Sequence, residues 1–116
     1  MELQKNINIA MDNKYIQIST TVAKKSDAER IARILLQRKL SACVQIIGPI
    51  TSIYRWKGKL EKSKEWLCIL KTKSSLYKKV EDAIKHSHPY EIPEIIATPI
   101  IQGSKTYIEW MNKEMR

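Results

Sequence analysis

The first apolar pattern along the chain predicts a strand followed by a helix. From Lys14 to Thr21, isoleucines alternate with tyrosine and glutamine at the two-residue period of a strand. Ser26 has Glu29 three residues later, a spacing that predicts a capping box at the start of a helix. The apolar positions of this helix have helical spacing and are Ala28, Ile31, Ala32 and Leu35. We expect the helix to end near Arg38 and Lys39, because cations suit the negative end of a helix.

Two unusually long strands come next and predict an extended hairpin. Strand-like sequence continues from Ala42 to Trp56, with a bend at Gly48 and Pro49, and a second strand returns from Lys59 to Thr72. Strands of this length exceed the usual five or six residues, so the tip should project beyond the rest of the domain. The projecting part contains large apolar side chains, which are Ile50, Ile53, Tyr54, Trp56 and Leu60. Such a surface predicts oligomerisation through the hairpins.

The same hairpin makes a disulfide between the two cysteines improbable on geometric grounds. A turn at residues 57 and 58 places Cys43 opposite Thr72 and Cys68 opposite Ile47. The resulting offset of four residues corresponds to about 13 Å along a strand, which is beyond the reach of a disulfide. We therefore expect two reduced thiols.

The rest of the chain predicts a second helix, a short strand and a terminal helix. Ser74 or Ser75 is expected to cap the second helix, a strand is expected over Ile95 to Ile100, and Gly103 and Ser104 should start the last helix. The element order is then β-α-β-β-α-β with one further helix. Short connections and right-handed crossovers make this a ferredoxin-like split βαβ fold of the α+β class, with an antiparallel four-stranded sheet and two helices on one face.

Length, composition and charge narrow the possible classes of protein. A chain of 116 residues has room for one domain, which we place at residues 14–116 after a loose N-terminal tail at 1–13. No apolar stretch is long enough to span a bilayer, and a cytoplasmic location is expected. The net charge of +9 favours anionic partners and keeps nucleic acid as an alternative. Against nucleic acid, the chain has no Phe and lacks the aromatic motif with which RNA-binding sheets stack bases.

Several ordered motifs in the second half of the chain resemble the CutA1 family. They are Ala-Cys-Val at 42–44, Gly-Pro at 48–49, Ser-Ile-Tyr-x-Trp-x-Gly-Lys at 52–59, Leu-Lys-Thr at 70–72 and His-Pro-Tyr-Glu-x-Pro-Glu at 88–94. The resemblance spans nearly all of residues 15–111. It implies a ferredoxin-like subunit in a tight homotrimer and a link to copper and other divalent cations. It implies no established reaction, and the likeness of the family to PII signalling proteins keeps a small-molecule sensor as an alternative.

Candidate metal ligands are few, and each has a structural alternative. His88 and Glu91 lie together between the second helix and the last strand, and imidazole with carboxylate suits borderline metals such as Cu(II) or Zn(II). Cys43 is a third candidate, although a thiol at an apolar strand start is more often a small hydrophobe. The alternative for His88 is that it braces the end of the helix. Where copper-linked relatives are expected to have a thiol and a second imidazole, this chain has Ser19 and Ser87.

The resemblance also implies a ligand cleft between subunits. Its candidate residues are Tyr54, Trp56, Glu61, Lys71, Tyr90 and Glu94. A cation, aromatic faces and carboxylates in one cleft suit a small anionic ligand, whereas the alternative is that the aromatic residues are interface core. No Ser/His/Asp, Cys/His or phosphate-loop constellation is present in the sequence, so the protein is not expected to be an enzyme.

Overall fold

A computed structural model describes residues 13–116 and shows the predicted ferredoxin-like α+β fold. Its elements are β1 (Tyr15–Val22), α1 (Lys25–Gln37), β2 (Cys43–Trp56), β3 (Lys59–Lys73), a 3-10 turn (Ser74–Leu76), α2 (Tyr77–Ser87), β4 (Ile96–Pro99) and α3 (Lys105–Glu114). The four strands form one sheet in the order β2-β3-β1-β4, with every neighbouring pair antiparallel. The predicted N-terminal tail lies outside the described residues, apart from Asn13.

One face of the sheet forms the core with α1 and α2. Alternate residues of β1 and β3 point to this face and are buried there, including Ile18, Cys68 and Leu70. The helices bury the apolar stripe that their sequences predict, and its members are Ala28, Ile31, Ala32, Leu35, Val80, Ala83 and Ile84. Within residues 13–116, α1 and α2 both cover this face, and the opposite face, which we call the open face, carries the strand residues of the candidate site. Helix α3 covers one end of the open face, where Asn112 donates to the Tyr15 hydroxyl at 2.7 Å.

The serine caps predicted for the first two helices are wrong. Helix α1 begins at Lys25 after Lys24, so Ser26 lies inside the first turn and no side-chain cap forms. Ser74 belongs to the 3-10 turn, and its hydroxyl donates instead to the Asn13 carbonyl oxygen. Ser104 does cap α3 as expected, because its hydroxyl oxygen accepts the Tyr107 backbone N–H at 3.3 Å.

The register of the long hairpin differs by one residue from the prediction. From the turn to Ile50 the pairing is the predicted one, and Ile50 pairs with Glu65. A bulge between Ile47 and Ile50 shifts the pairing of residues 43–47 by one, so that Cys43 faces Lys71 and not Thr72. Cys68 faces Ile46 for the same reason. The two thiols remain free, as predicted.

The described part of the chain is elongated along this hairpin. Its extents are 52 × 28 × 23 Å, and Ile53 and Leu60 near the tip are 63% and 71% exposed. Within residues 13–116, no helix is both long and apolar enough to cross a membrane.

Candidate cation-binding cleft on the open sheet face

The candidate site is a cleft of about 530 Å³ between the hairpin and the segment 90–94. Its lining residues are Thr21, Ser52, Ile53, Tyr54, Trp56, Glu65, Tyr90, Glu91, Ile92 and Glu94. The strand residues among them come mainly from the face opposite α1 and α2. The cleft is therefore formed where the loop after α2 folds back over the open face of the sheet.

The bulge in β2 determines which hairpin side chains enter this cleft. On the turn side of the bulge, Ser52 and Tyr54 pair with Ser63 and Glu61, and these residues share a face with Glu65. Without the extra residue, the register would place Tyr54 on the opposite face, since neighbouring positions of a strand alternate. The bend that the sequence predicts at Gly48 and Pro49 thus aims Tyr54 at the cleft.

A buried carboxylate, Glu65, joins the hairpin to the loop after α2 by a hydrogen bond across the cleft. Glu65 is 6% exposed, and one of its carboxylate oxygens accepts a hydrogen bond from the Tyr90 hydroxyl at 2.7 Å. The pKa of Tyr90 is raised, first because burial disfavours the phenolate and then because the phenol donates to Glu65. Glu65 was absent from the predicted site. Glu65 was missed because its neighbours in the sequence are polar. Its pairing with Ile50 across the hairpin could have indicated that the side chain is buried.

His88 is held in one tautomer by two backbone groups. Its Nε2 lies 2.8 Å from the Thr21 carbonyl oxygen, and because that oxygen can only accept, Nε2 donates the proton. Its Nδ1 accepts the Tyr90 backbone N–H at 3.1 Å. Burial is the main cause of a lowered pKa, which the hydrogen bond to Thr21 partly opposes. His88 therefore ties the loop after α2 to β1, and not to the end of the helix that the alternative names. A metal ion would have to displace one of these two partners.

The structure brings together five of the nine predicted site residues. Tyr54, Trp56, Tyr90, Glu91 and Glu94 all line the cleft. His88 does not line the cleft, but its ring packs against that of Tyr90, with ring centroids 4.8 Å apart. Glu61 pairs with Tyr54 in the ladder without lining the cleft.

Lys71 and Cys43 lie at the opposite end of the sheet. They face each other in the ladder, and Lys71 Nζ donates to Gln45 Oε1 at 3.0 Å. Lys71 is six positions beyond Glu65 along β3, which corresponds to about 20 Å. Among residues 13–116, the cleft of a single chain therefore lacks the cation that was expected to hold an anionic ligand.

Metal-ligating groups are sparse in a single chain. Across residues 13–116, no three His, Cys, Asp or Glu side chains form a group that suits a metal ion. Ser87, at one expected ligand position, donates its hydroxyl to the Ala83 carbonyl at 2.8 Å, and Ser19 pairs with Ile69 in the sheet. Burial raises the pKa of the Cys68 thiol to about 11, which keeps it protonated inside the core.

The charge of the cleft is opposite to that of the whole protein. The chain carries 21 Lys and Arg against 12 Asp and Glu. In the described residues, three glutamates line the cleft, namely Glu65, Glu91 and Glu94, whereas neither Lys nor Arg does. The cleft therefore favours cations over anions.

Comparison with known proteins places this architecture in a family. The family CutA1, described as CutA1 divalent ion tolerance protein, matches residues 16–114. Protein CutA of Homo sapiens is 43% identical over 93 residues, which are 80% of this chain and 52% of the human protein. The chain thus spans about half the length of that relative. The divalent-cation tolerance protein CutA of Thermus thermophilus is 39% identical over 80% of this chain and 90% of its own length.

A solved structure agrees with the sequence match. The periplasmic divalent cation tolerance protein CutA from Archaeoglobus fulgidus has a TM-score of 0.84 and 40% identity, covering 86% of this chain and 97% of that one. The family match, the identity to known relatives and the shared fold together confirm the predicted resemblance to the CutA1 family. The chain belongs to the CutA1 divalent ion tolerance protein family.

Proposed function

We propose that this protein is a homotrimer that binds divalent metal ions and acts in the cellular response to them. The single observation that supports this function is the acidic cleft of an otherwise basic protein. Glu65, Glu91 and Glu94 concentrate negative charge in one place, against a net charge of +9 for the chain. Carboxylate oxygens suit divalent cations, and a nearby imidazole extends this set toward Zn(II) and Cu(II).

Within this proposal, Glu91 and Glu94 are the first ligands and His88 is an additional one. Binding to His88 requires the ring to give up its contact with Thr21 or Tyr90. Since Ser19 and Ser87 replace a thiol and an imidazole, Cu(II) or Zn(II) is favoured over the softer Cu(I). Cys43 enters a site only if assembly brings it to the cleft of another subunit.

The homotrimer in this proposal is supported by the apolar surface of the hairpin. Ile47, Ile53 and Leu60 are between 49% and 71% exposed in the single chain, a surface that a second copy would bury. A shared interface also offers ligands from two chains, which the sparse ligand set of one chain requires.

Native mass spectrometry with an equimolar amount of Zn(II) or Cu(II) tests the proposal. We expect a trimer that takes up metal, with uptake reduced in His88→Ala and in the double variant Glu91→Gln/Glu94→Gln. Glu109→Gln on α3 is the matched control, because this exposed carboxylate lies outside the cleft. Equal uptake by all variants would contradict a metal site in the cleft, and a monomer would contradict the assembly.

A small-molecule sensor is the second candidate function, and the cleft volume of about 530 Å³ favours it, since ligand pockets have this size. The expectations that the protein is not an enzyme, does not bind nucleic acid and is cytoplasmic stay predictions. The Archaeoglobus fulgidus relative is described as periplasmic. Cell fractionation of the native organism checks the compartment of this chain.

A further inference from the structure

One end of the described molecule carries a group of cations far from the cleft. It is the end at which β1 begins and both β3 and α1 end, opposite the tip of the hairpin. We call this surface the basic end, and its residues are Lys14, Arg38, Lys39, Lys73 and Arg116. All of them except the half-buried Lys73 are exposed. Because the apolar surface assigned to the proposed trimer lies on the hairpin, the basic end is a separate surface.

Three hydrogen bonds hold these cations together. The Arg116 backbone N–H donates to the Lys39 carbonyl oxygen at 3.0 Å, and Arg116 Nε donates to the Arg38 carbonyl oxygen at 3.0 Å. Lys73 Nζ donates to the Arg116 carbonyl oxygen at 2.9 Å. Lys14 directly precedes the first residue of β1, which pairs with Lys73. The tertiary structure thus gathers five positive charges from distant parts of the chain.

None of the five cations forms an ion pair within residues 13–116. The ion pairs of this part of the chain involve Arg30 on α1 and two lysines of α2. In the last turn of α3, Lys113 lies next to Glu114 and balances its charge. A terminal carboxylate on Arg116 would cancel only one of the five charges. The basic end therefore keeps an excess of positive charge that attracts anionic partners.

Lys39 occupies a backbone position that favours glycine. Its φ is 56°, in the left-handed region, directly after the cap residue Arg38 of α1. The Lys39 N–H donates to the Leu36 carbonyl oxygen at 3.1 Å. The next N–H along the chain donates to the Leu35 carbonyl oxygen at 2.9 Å, which completes a Schellman motif. A lysine costs backbone free energy where glycine would not, and this cost points to a use for its side chain.

Two exposed aliphatic side chains accompany the cations. Leu36 is 40% exposed, and its carbonyl oxygen accepts the N–H of Lys39. Ile101 is 62% exposed and follows Ile100, whose N–H donates to the Tyr15 carbonyl oxygen at the start of β1. Aliphatic groups suit the acyl boundary of a bilayer, whereas the phosphate backbone of a nucleic acid offers them no apolar contact.

We propose that the basic end docks on the surface of an anionic lipid bilayer. Clusters of about four to eight Lys and Arg side chains are typical of surfaces that bind acidic lipids, and each cation strengthens binding about fivefold. The five side chains contact the anionic headgroups, while Leu36 and Ile101 reach the boundary of the acyl chains. This docking needs no membrane-spanning segment and is independent of metal binding.

Sedimentation of the full chain with sucrose-loaded vesicles tests the proposal. One set of vesicles contains about 30% phosphatidylserine in phosphatidylcholine, and the other contains phosphatidylcholine alone. We expect binding to the acidic vesicles only, and its loss when NaCl rises from about 50 mM to about 500 mM, since salt screens the attraction. Equal binding to both kinds of vesicle, or no binding to the acidic ones at low salt, would overturn the proposal.

A matched pair of variants locates the docking surface. Arg38→Gln/Lys39→Gln should weaken binding to acidic vesicles about 30-fold, because it removes two cations of the basic end. Lys24→Gln/Lys85→Gln is the control, since it removes the same charge from the start of α1 and the last turn of α2, at the opposite end of the domain. It should weaken binding less than about threefold. Equal losses in the two variants would assign the binding to net charge and contradict the basic end.

Lys39→Gly separates a loss of docking from a loss of stability. Glycine relieves the left-handed backbone, so the melting temperature should rise while binding to acidic vesicles weakens about fivefold. Unchanged vesicle binding in Lys39→Gly would contradict the role given to this side chain.

Fluorescence anisotropy with a single-stranded RNA oligonucleotide tests the rival anionic partner. We expect RNA to bind more weakly than acidic vesicles at the same salt concentration, because it offers no contact to Leu36 and Ile101. RNA binding that is lost in Arg38→Gln/Lys39→Gln, in a protein that ignores acidic vesicles, would overturn the lipid proposal in favour of nucleic acid.

Discussion

At the scale of single residues, the molecule is most unusual where Glu65 and Tyr90 meet. A carboxylate that is 6% exposed would be costly without a strong donor, and the Tyr90 hydroxyl at 2.7 Å is that donor. The same contact ties the loop after α2 to the hairpin. One hydrogen bond therefore joins two distant parts of the chain and shapes the cleft.

We expect Tyr90→Phe to lower the free energy of unfolding by about 1 to 3 kcal/mol, because the buried carboxylate loses its donor while the ring volume is retained. Urea denaturation followed by Trp fluorescence measures this. Tyr107→Phe is the control, since Tyr107 is 38% exposed on α3, outside the cleft, and its replacement should have almost no effect. If both variants unfold at the same urea concentration, the Tyr90 hydroxyl contributes nothing to stability.

The lowered pKa of His88 predicts a loss of stability in mild acid. Folded His88 resists protonation, while the unfolded chain protonates near the usual histidine value of about 6.5, so the unfolded state binds more protons below that pH. The contribution of neutral His88 to the free energy of unfolding should be fully present above a pH of about 6.5. It should decrease by at most about 1.4 kcal/mol per pH unit as the pH falls from that value toward the pKa of folded His88.

Stability measured from pH 7 to pH 5 checks this in matched variants. His88→Gln should flatten the pH dependence, because an amide can both donate to Thr21 and accept from Tyr90 without titrating. His86→Gln, two residues away in the exposed last turn of α2, should keep the slope of the unmodified protein. An unchanged slope in His88→Gln would assign the acid sensitivity to other groups.

At the scale of elements, the bulge in β2 has the largest consequence. It shifts the register by one residue and so exchanges the faces of all positions beyond Ile50. Gly48 sits at the bulge because a Cβ atom there would lie 2.5 Å from Cε3 of Trp66. Trp66 in turn has the Lys25 ammonium 5.6 Å from its ring, so the β3 residue that packs on the bulge also contacts the start of α1.

Gly48→Ala is expected to lower the free energy of unfolding by about 1 to 3 kcal/mol, because the added methyl group collides with the Trp66 ring. Thermal unfolding measures the loss. The double variant Gly48→Ala/Trp66→Leu should recover part of it relative to Trp66→Leu alone, since leucine leaves room for the methyl group. Additive losses in the double variant would exclude the collision as the cause.

At the scale of the whole molecule, the hairpin determines the shape. Strands of 14 and 15 residues rise about 3.3 Å per residue and so span most of the 52 Å axis. The helices cover only the base, which leaves the apolar residues of the tip exposed. The exposed apolar tip favours association through the hairpins, and the proposed homotrimer is a closed assembly of this kind.

We expect Ile53→Asp/Leu60→Asp to dissociate the proposed trimer, because each change places a carboxylate in the apolar surface that a second copy would bury. Analytical ultracentrifugation measures the change in mass. Leu36→Asp on α1 is the control, since Leu36 is 40% exposed and lies on the helical side of the domain. A trimer that survives the double variant would exclude the hairpin tip from the interface.

The amino-acid sequence by itself determined the order of strands and helices, the fold class, the overlong hairpin and the family. These depend on local periodicity and ordered motifs, which need no knowledge of distant contacts. Only the tertiary structure decided the composition of the cleft. It added Glu65 to the lining of the cleft and placed Lys71 and Cys43 at the far end of the sheet. It also showed that both ring nitrogens of His88 form hydrogen bonds with backbone groups. The physical reason is that a single-residue bulge reverses the faces of a strand, and that the loop after α2 is positioned by hydrogen bonds to residues more than 20 positions away.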